Sequence, residues 1–149
     1  MIKIIWSRWN EIIGKFLVDA AVESAKAHGV SVSVVSVPGA YEIPLMLQHS
    51  LRDKNIQGAI VLGCLIRGET SHYDALISPT FSNIQKLSLE FNKPVANGIL
   101  TVENLNQAFD RAGGKLGNKG REAMEVVLEL CTKISNNSHA TTLSNDVIQ

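Results

Sequence analysis

Apolar and polar residues along this chain switch repeatedly between a two-residue period and a roughly 3.6-residue period. Ile2–Ser7 is a short apolar run with β-branched residues, which predicts a first strand ended by Arg8-Trp9-Asn10. Ile12, Ile13, Phe16, Leu17, Ala20, Ala21 and Ala25 then recur at helical spacing. Gly29 is placed to close that helix as its left-handed C′ residue. Val30–Val37 alternates Val with Ser, a half-buried strand pattern that Pro38-Gly39 stops. Ile43, Leu47 and Leu51 mark a second helix.

Gln57–Gly63 reads as a third strand and Ala75–Asn92 as a third helix. Pro79 falls early in that helix and predicts a late start or a kink. Lys93–Leu100 predicts a fourth strand and Glu103–Arg111 a short helix. A Gly-rich stretch over 111–117 follows. Asn118 is then placed as the N-cap of a last helix bearing Ala123, Val127, Leu130 and Ile134. Residues 136–149 are rich in Ser, Asn and Thr and lack a period, so we expect a loose polar tail after a domain over 1–135. Four strands alternating with helices imply an α/β fold, with a four-stranded parallel sheet and helices on both faces.

Composition narrows the function. A length of 149 residues fits one domain. A net charge of zero and a pI near 6.9 argue against an electrostatic nucleic-acid binder and favour self-association. Cys64 and Cys131 are far apart in sequence, which predicts a reduced, cytoplasmic setting. No apolar run approaches the ~20 residues of a membrane span. The opening Met1-Ile2-Lys3-Ile4-Ile5-Trp6 reads as strand rather than as a targeting segment.

In a parallel sheet the loops after the strands share one edge, where open α/β folds bind ligands. Those loops bring Trp9, Tyr41, Glu42, Arg67, Glu69, Thr70 and His72 to that edge. Two aromatics and a carboxylate suit a flat heterocycle with hydroxylated substituents. Arg67 reads equally well as an ion-pair partner, and Glu42 as a first-turn helix carboxylate. Arg111-Ala112-Gly113-Gly114-Lys115-Leu116-Gly117-Asn118-Lys119-Gly120 forms a second dense segment. Its glycines, three cations and following helix N-terminus suit an anion. Neither a Walker A spacing nor a dinucleotide fingerprint is present. The four histidines and two cysteines have no zinc-ligand spacing, and there is no G-x-S-x-G nucleophile elbow.

Four ordered motifs resemble the 6,7-dimethyl-8-ribityllumazine synthase family. They are Ser7-Arg8-Trp9-Asn10, Val37-Pro38-Gly39-Ala40-Tyr41-Glu42-Ile43-Pro44, the stretch from Gly63 to Asp74, and Arg111-Ala112-Gly113 through Gly117-Asn118-Lys119-Gly120. The similarity runs over roughly residues 2–135. It implies a flavodoxin-like three-layer α/β/α sandwich. The implied reaction condenses 5-amino-6-(D-ribitylamino)uracil with 3,4-dihydroxy-2-butanone 4-phosphate, without metal or organic cofactor. It also implies a homopentamer with the site between adjacent subunits. A hollow shell of twelve pentamers and contact with riboflavin synthase stay open.

Roles follow position by position from the resemblance. Trp9 matches the aromatic that stacks on the pyrimidine, where the family more often has phenylalanine. Ala40, Tyr41 and Glu42 match the segment that holds the ribityl chain, and Cys64, Leu65 and Ile66 match the pyrimidine pocket. Glu69 and Thr70 match a phosphate-binding pair, Glu69 through its backbone N–H. His72 matches the proton-transfer residue and Arg111 the arginine that grips phosphate. Lys119 matches a lysine near the pyrimidine carbonyl. Asn97 stands at a site-lining position where other members have phenylalanine. The Asn97, Arg111 and Lys119 group is expected from the neighbour of the subunit that supplies Trp9, Glu42 and His72. The competing readings are a flavin or lumazine carrier without turnover and a structural shell protein.

Overall fold

A computed structural model describes residues 1–139. Four strands, β1 (Ile2–Ser7), β2 (Val32–Val37), β3 (Gly58–Ile66) and β4 (Val95–Val102), pair in parallel in the order β2-β1-β3-β4. Helices α1 (Glu11–Ala27), α2 (Ile43–Leu51), α3 (His72–Phe91), α4 (Leu105–Arg111) and α5 (Lys119–His139) occupy the connections. This is the parallel α/β sheet that the alternating pattern predicts, in the flavodoxin-like arrangement that the resemblance implies.

β3 explains the layering. Its residues are buried from Gly58 to Leu65, as a strand covered on both faces must be. Ile60, Leu62 and Cys64 point into one core with Ile4, Leu17, Met124 and Val127, under α1 and α5. Ala59, Val61 and Leu65 point into the other with Ile5, Ile43, Leu47 and Ile84, under α2 and α3. The two-residue side-chain period thus splits one apolar run between two cores. No helix among the described residues is long and apolar enough to cross a membrane.

Local signals work as predicted at several ends. Gly29 has φ +68°, the left-handed conformation of a helix C′ residue. Asn118 caps α5: its Oδ1 accepts the N–H groups of Gly120 at 2.8 Å and Arg121 at 3.3 Å. Its amide also donates to the Phe16 carbonyl at 3.2 Å, which ties the start of α5 to α1. Gly120 is required there, because a Cβ at that position would run into the backbone carbonyl of Leu17.

Four boundaries differ from the sequence pattern. β3 runs on to Ile66, because Gly63–Ile66 continue to pair with Ile99–Val102 of β4 after the β1 partner ends at Leu62. α3 begins at His72 and contains Pro79. The lost hydrogen bond of an internal proline is outweighed by burial of Thr80, Ile84 and Leu87 on the far side of it and by ion pairing of Asp74 in the first turn. The Gly-rich stretch contains a small antiparallel hairpin, β5 (Ala112–Gly114) with β6 (Gly117–Asn118), turned through Gly113 at φ +115° and Gly117 at φ +82°. α5 continues to His139, past the expected boundary at 135. The rest of the predicted polar tail lies outside the described residues.

Gly120→Ala should therefore destabilise the chain by about 1–3 kcal/mol through forced separation of α5 from α1. Gly68→Ala, with open space around the site of the new methyl, should stay within about 0.5 kcal/mol. Urea denaturation of the two variants beside the parent checks the contrast; equal midpoints would contradict the close packing at Gly120.

Candidate active site

The chain leaves β1 for α1 on one face and β3 for α3 on the other. β1 and β3 are neighbours in the sheet, so a crevice opens between their C-terminal ends. Asn10 turns the chain out of β1 in the left-handed conformation, φ 56° and ψ 54°, which asparagine tolerates better than most residues. Its Nδ2 donates to the Cys64 carbonyl at 2.8 Å and ties the turn to β3. This leaves the neighbouring Trp9 68% exposed.

After β2 a single 3₁₀ turn over Ala40–Glu42 leads into α2. The Glu42 carboxylate accepts the Gly39 N–H through Oε2 at 2.9 Å, so the bland and the functional readings of Glu42 meet in one residue. One oxygen closes the turn, and the side chain remains exposed. Tyr41 is 78% exposed. Trp9, Ala40, Tyr41, Leu65, Ile66 and His72, with Tyr73 and Leu76, line one cavity of about 290 Å³. Its wall is aromatic and aliphatic, with the His72 imidazole and the Tyr41 and Tyr73 phenols as its polar groups.

Arg67 follows β3 directly and its N–H still bonds the Val102 carbonyl at 2.9 Å. Its guanidinium donates to both oxygens of Asp74, at 2.8 and 3.1 Å. Its Nε lies 3.1 Å from Glu103 Oε2. The Tyr73 ring lies 4.5 Å below its Cζ. Hydrogen bonds to Asp74 and then to Glu103 hold this guanidinium protonated even more firmly than an ordinary arginine. The segment from Gly68 to Ser71 bulges from between these anchors and is exposed throughout. Its Thr70 hydroxyl lies 3.4 Å from the His72 N–H.

A second cavity of about 590 Å³ lies beside β4, lined by Asn97, Thr101, Arg111, Lys115, Lys119 and Glu122 among others. Asn97 turns its Oδ1 onto the Ile99 N–H at 3.0 Å. Lys115 faces Asp110 and Lys119 faces Glu122, each at 3.8 Å. Arg111 makes no ion pair among the described residues, which leaves it as the uncommitted cation of this cavity. An arginine fork with no carboxylate partner, beside two further cations, suits a phosphate.

The residues singled out in the sequence thus fall into two groups on one chain. The aromatic cavity brings together Trp9, Ala40, Tyr41, Leu65, Ile66 and His72. The basic cavity brings together Asn97, Arg111 and Lys119. The two share no lining residue. Glu42, Glu69 and Thr70 line neither; Glu42 flanks the first through Tyr41, and Glu69 and Thr70 lie on the exposed segment before His72. Cys64 contributes its carbonyl to Asn10 while its side chain is buried in the α1–α5 core, where desolvation pushes the thiol up to about 11. Tyr73 precedes the Ala75 start that the sequence pattern gives this helix, and Leu76 lies beside the break expected near Pro79, so neither is singled out by sequence reasoning. With α3 beginning at His72, they turn onto the cavity side within its first turns. Lys115 shows its place only once the hairpin puts it between Arg111 and Lys119.

A sequence model of the 6,7-dimethyl-8-ribityllumazine synthase family matches residues 1–135. The chain is 43% identical over 132 residues to the protein of that name from Pediococcus pentosaceus, covering 87% of this chain and 85% of the relative. It is 42% identical over 132 residues to the protein of that name from Helicobacter acinonychis, with the same coverage. It is 38% identical over 153 aligned residues to the one from Protochlamydia amoebophila, covering 97% of this chain and 89% of the relative. On this match, which spans the whole sheet and both cavities, the chain belongs to the 6,7-dimethyl-8-ribityllumazine synthase family.

Proposed function

We propose that this chain condenses 5-amino-6-(D-ribitylamino)uracil with 3,4-dihydroxy-2-butanone 4-phosphate to 6,7-dimethyl-8-ribityllumazine, with release of phosphate and water, in the penultimate step of riboflavin synthesis. The observation that carries the reading is the division of labour between the two cavities. One offers aromatic surface and a histidine, the other an uncommitted arginine with two lysines nearby.

In this reading the pyrimidine stacks on Trp9 and rests against Leu65 and Ile66. The ribityl hydroxyls run along Ala40 and Tyr41 to the Glu42 carboxylate. Arg111 grips the phosphate of the second substrate, with the backbone N–H of Glu69 and the Thr70 hydroxyl opposite it, and Lys119 reaches the pyrimidine carbonyl. The primary amine of the uracil attacks the ketone and a first water leaves as the imine forms; phosphate is eliminated to an enol that tautomerises to a carbonyl; the ribityl-bearing amine attacks that carbonyl, and loss of a second water closes the ring. His72 moves protons in these steps. Alignment of two reactants is worth about 7–11 kcal/mol, so a site of this kind needs no cofactor to be effective.

The two cavities share no lining residue, which supports a site completed by a second chain. We therefore assign the site to the junction of adjacent subunits in a homopentamer. Asn97, Arg111 and Lys119 come from one subunit and Trp9, Glu42 and His72 from its neighbour. Exposed Ile12, Phe16, Leu105, Phe109 and Leu116 supply apolar surface for such packing. Riboflavin synthase, which consumes the product, is a candidate partner. The free thiols of Cys64 and Cys131 accord with a cytoplasmic setting.

Purified protein given both substrates should raise lumazine absorbance well above the uncatalysed control. Arg111→Ala should weaken use of the butanone phosphate about 10- to 100-fold, the worth of charge-assisted hydrogen bonds of 1.5–3 kcal/mol. His72→Ala should slow turnover by ~10²–10⁴ without abolishing it. A rate equal to control from folded, oligomeric protein would contradict the catalytic reading and favour a carrier or shell. Unchanged affinity for the butanone phosphate in Arg111→Ala would contradict the phosphate assignment.

A further inference from the structure

The segment Gly68–Ser71 has almost nothing beneath it. A Cβ at Gly68 would meet no atom within 4 Å, and every residue from 68 to 72 is exposed. Packing therefore does not set its shape. What it does have is a fixed frame. Before it stands Arg67, still hydrogen-bonded to β4. After it stands the first turn of α3, which bears Tyr73 and Asp74. Beside it, past the end of β4, stands Glu103.

One guanidinium joins all three. Both of its terminal nitrogens meet Asp74, its Nε meets Glu103 and its face covers Tyr73. The side chains are 40–61% exposed, a range in which a single ion pair contributes little. A bidentate fork within a three-charge network is the recognised exception. The same geometry excludes another role. The Nε and both terminal nitrogens of Arg67 already meet carboxylates, which leaves no open fork for a phosphate.

We propose that Arg67 is a positioning residue: by locking Asp74 and Glu103 it fixes the Gly68–Ser71 segment, and so places Glu69, Thr70 and the start of α3 for the phosphate-bearing substrate. This rests on the function proposed above, in which that segment faces the phosphate. Trp9, Ala40, Tyr41, Leu65 and Ile66 of the aromatic cavity stand on other elements, so binding of the ribitylaminouracil depends on the clamp less than binding of the phosphate does.

Steady-state kinetics with each substrate varied in turn test this on the intact oligomer. Asp74→Asn keeps size and shape but weakens the fork, and it should raise KM for the butanone phosphate several-fold, with Arg67→Met reaching roughly tenfold. KM for the ribitylaminouracil should stay within about twofold in both. Arg67→Lys should rescue poorly, because an ammonium cannot span both partners. The sign of the Asp74→Asn effect is decisive. Were Arg67 itself a phosphate ligand, removing its competing carboxylate would lower that KM. A lowered KM, an unchanged one, or an equal rise for both substrates would each overturn the proposal. Should Arg67→Met fail to fold, the isosteric Asp74→Asn still decides. Absence of turnover in the parent protein would be a different failure, that of the functional reading, and the proposal would fall with it.

Discussion

The parallel pairing of β3 between β1 and β4 is the constraint on which the rest of this structure depends. β3 is buried on both faces, so its side chains must alternate between two separate cores. Each core needs its own pair of helices. The chain therefore leaves β1 and β3 toward opposite faces, and a crevice at their C-terminal ends follows from topology alone. β3 also outlasts β1, since its last four residues pair only with β4. Those residues bring Leu65 and Ile66 to the cavity wall and deliver Arg67 to its carboxylates.

Above that edge the chain uses small, local devices to hold a reactive surface open. Asn10 accepts a left-handed backbone and fastens itself to Cys64, so that Trp9 is presented to solvent. Glu42 closes its own turn with one oxygen. Gly120 lets α5 approach α1 closely enough for Asn118 to cap one helix and bind the other. The outcome is an aromatic cavity and a basic cavity that share no lining residue. In the function proposed above, each is half of what a condensation of a heterocyclic amine with a phosphorylated ketone requires. Assembly of subunits would then place the reactants in register, and alignment is the main catalytic resource such a reaction needs.

Most of this was legible in the sequence because the relevant signals are local. The strand and helix periods, Gly29 as a helix stop and Asn118 as a cap depend on neighbours within a few residues. The grouping of Trp9, Tyr41 and His72 follows once the strands are known to be parallel, and Ala40, Leu65 and Ile66 are singled out by the family motifs. What escaped depends on contacts across the chain. The early start of α3 reflects Arg67 holding Asp74, and tertiary packing carries the helix through Pro79. The burial of the Cys64 side chain is fixed by the β3 register, which a strand ended at Gly63 could not reveal. The hairpin at Ala112–Asn118 arises from a turn through two positive-φ glycines, and composition alone reads that stretch as loop.

Co-assembly of two impaired variants tests the central claim, a site shared between subunits, most directly. His72→Ala and Arg111→Ala damage opposite halves of the proposed site. Subunits of the two, unfolded together and reassembled in equal amounts, should regain about a quarter of the parent rate, because about one junction in four then has both halves intact. Each variant reassembled alone should remain slow. Mixed assemblies no faster than the mean of the two variants, with mixing verified by mass spectrometry, would contradict a shared site and return the whole reaction to a single chain.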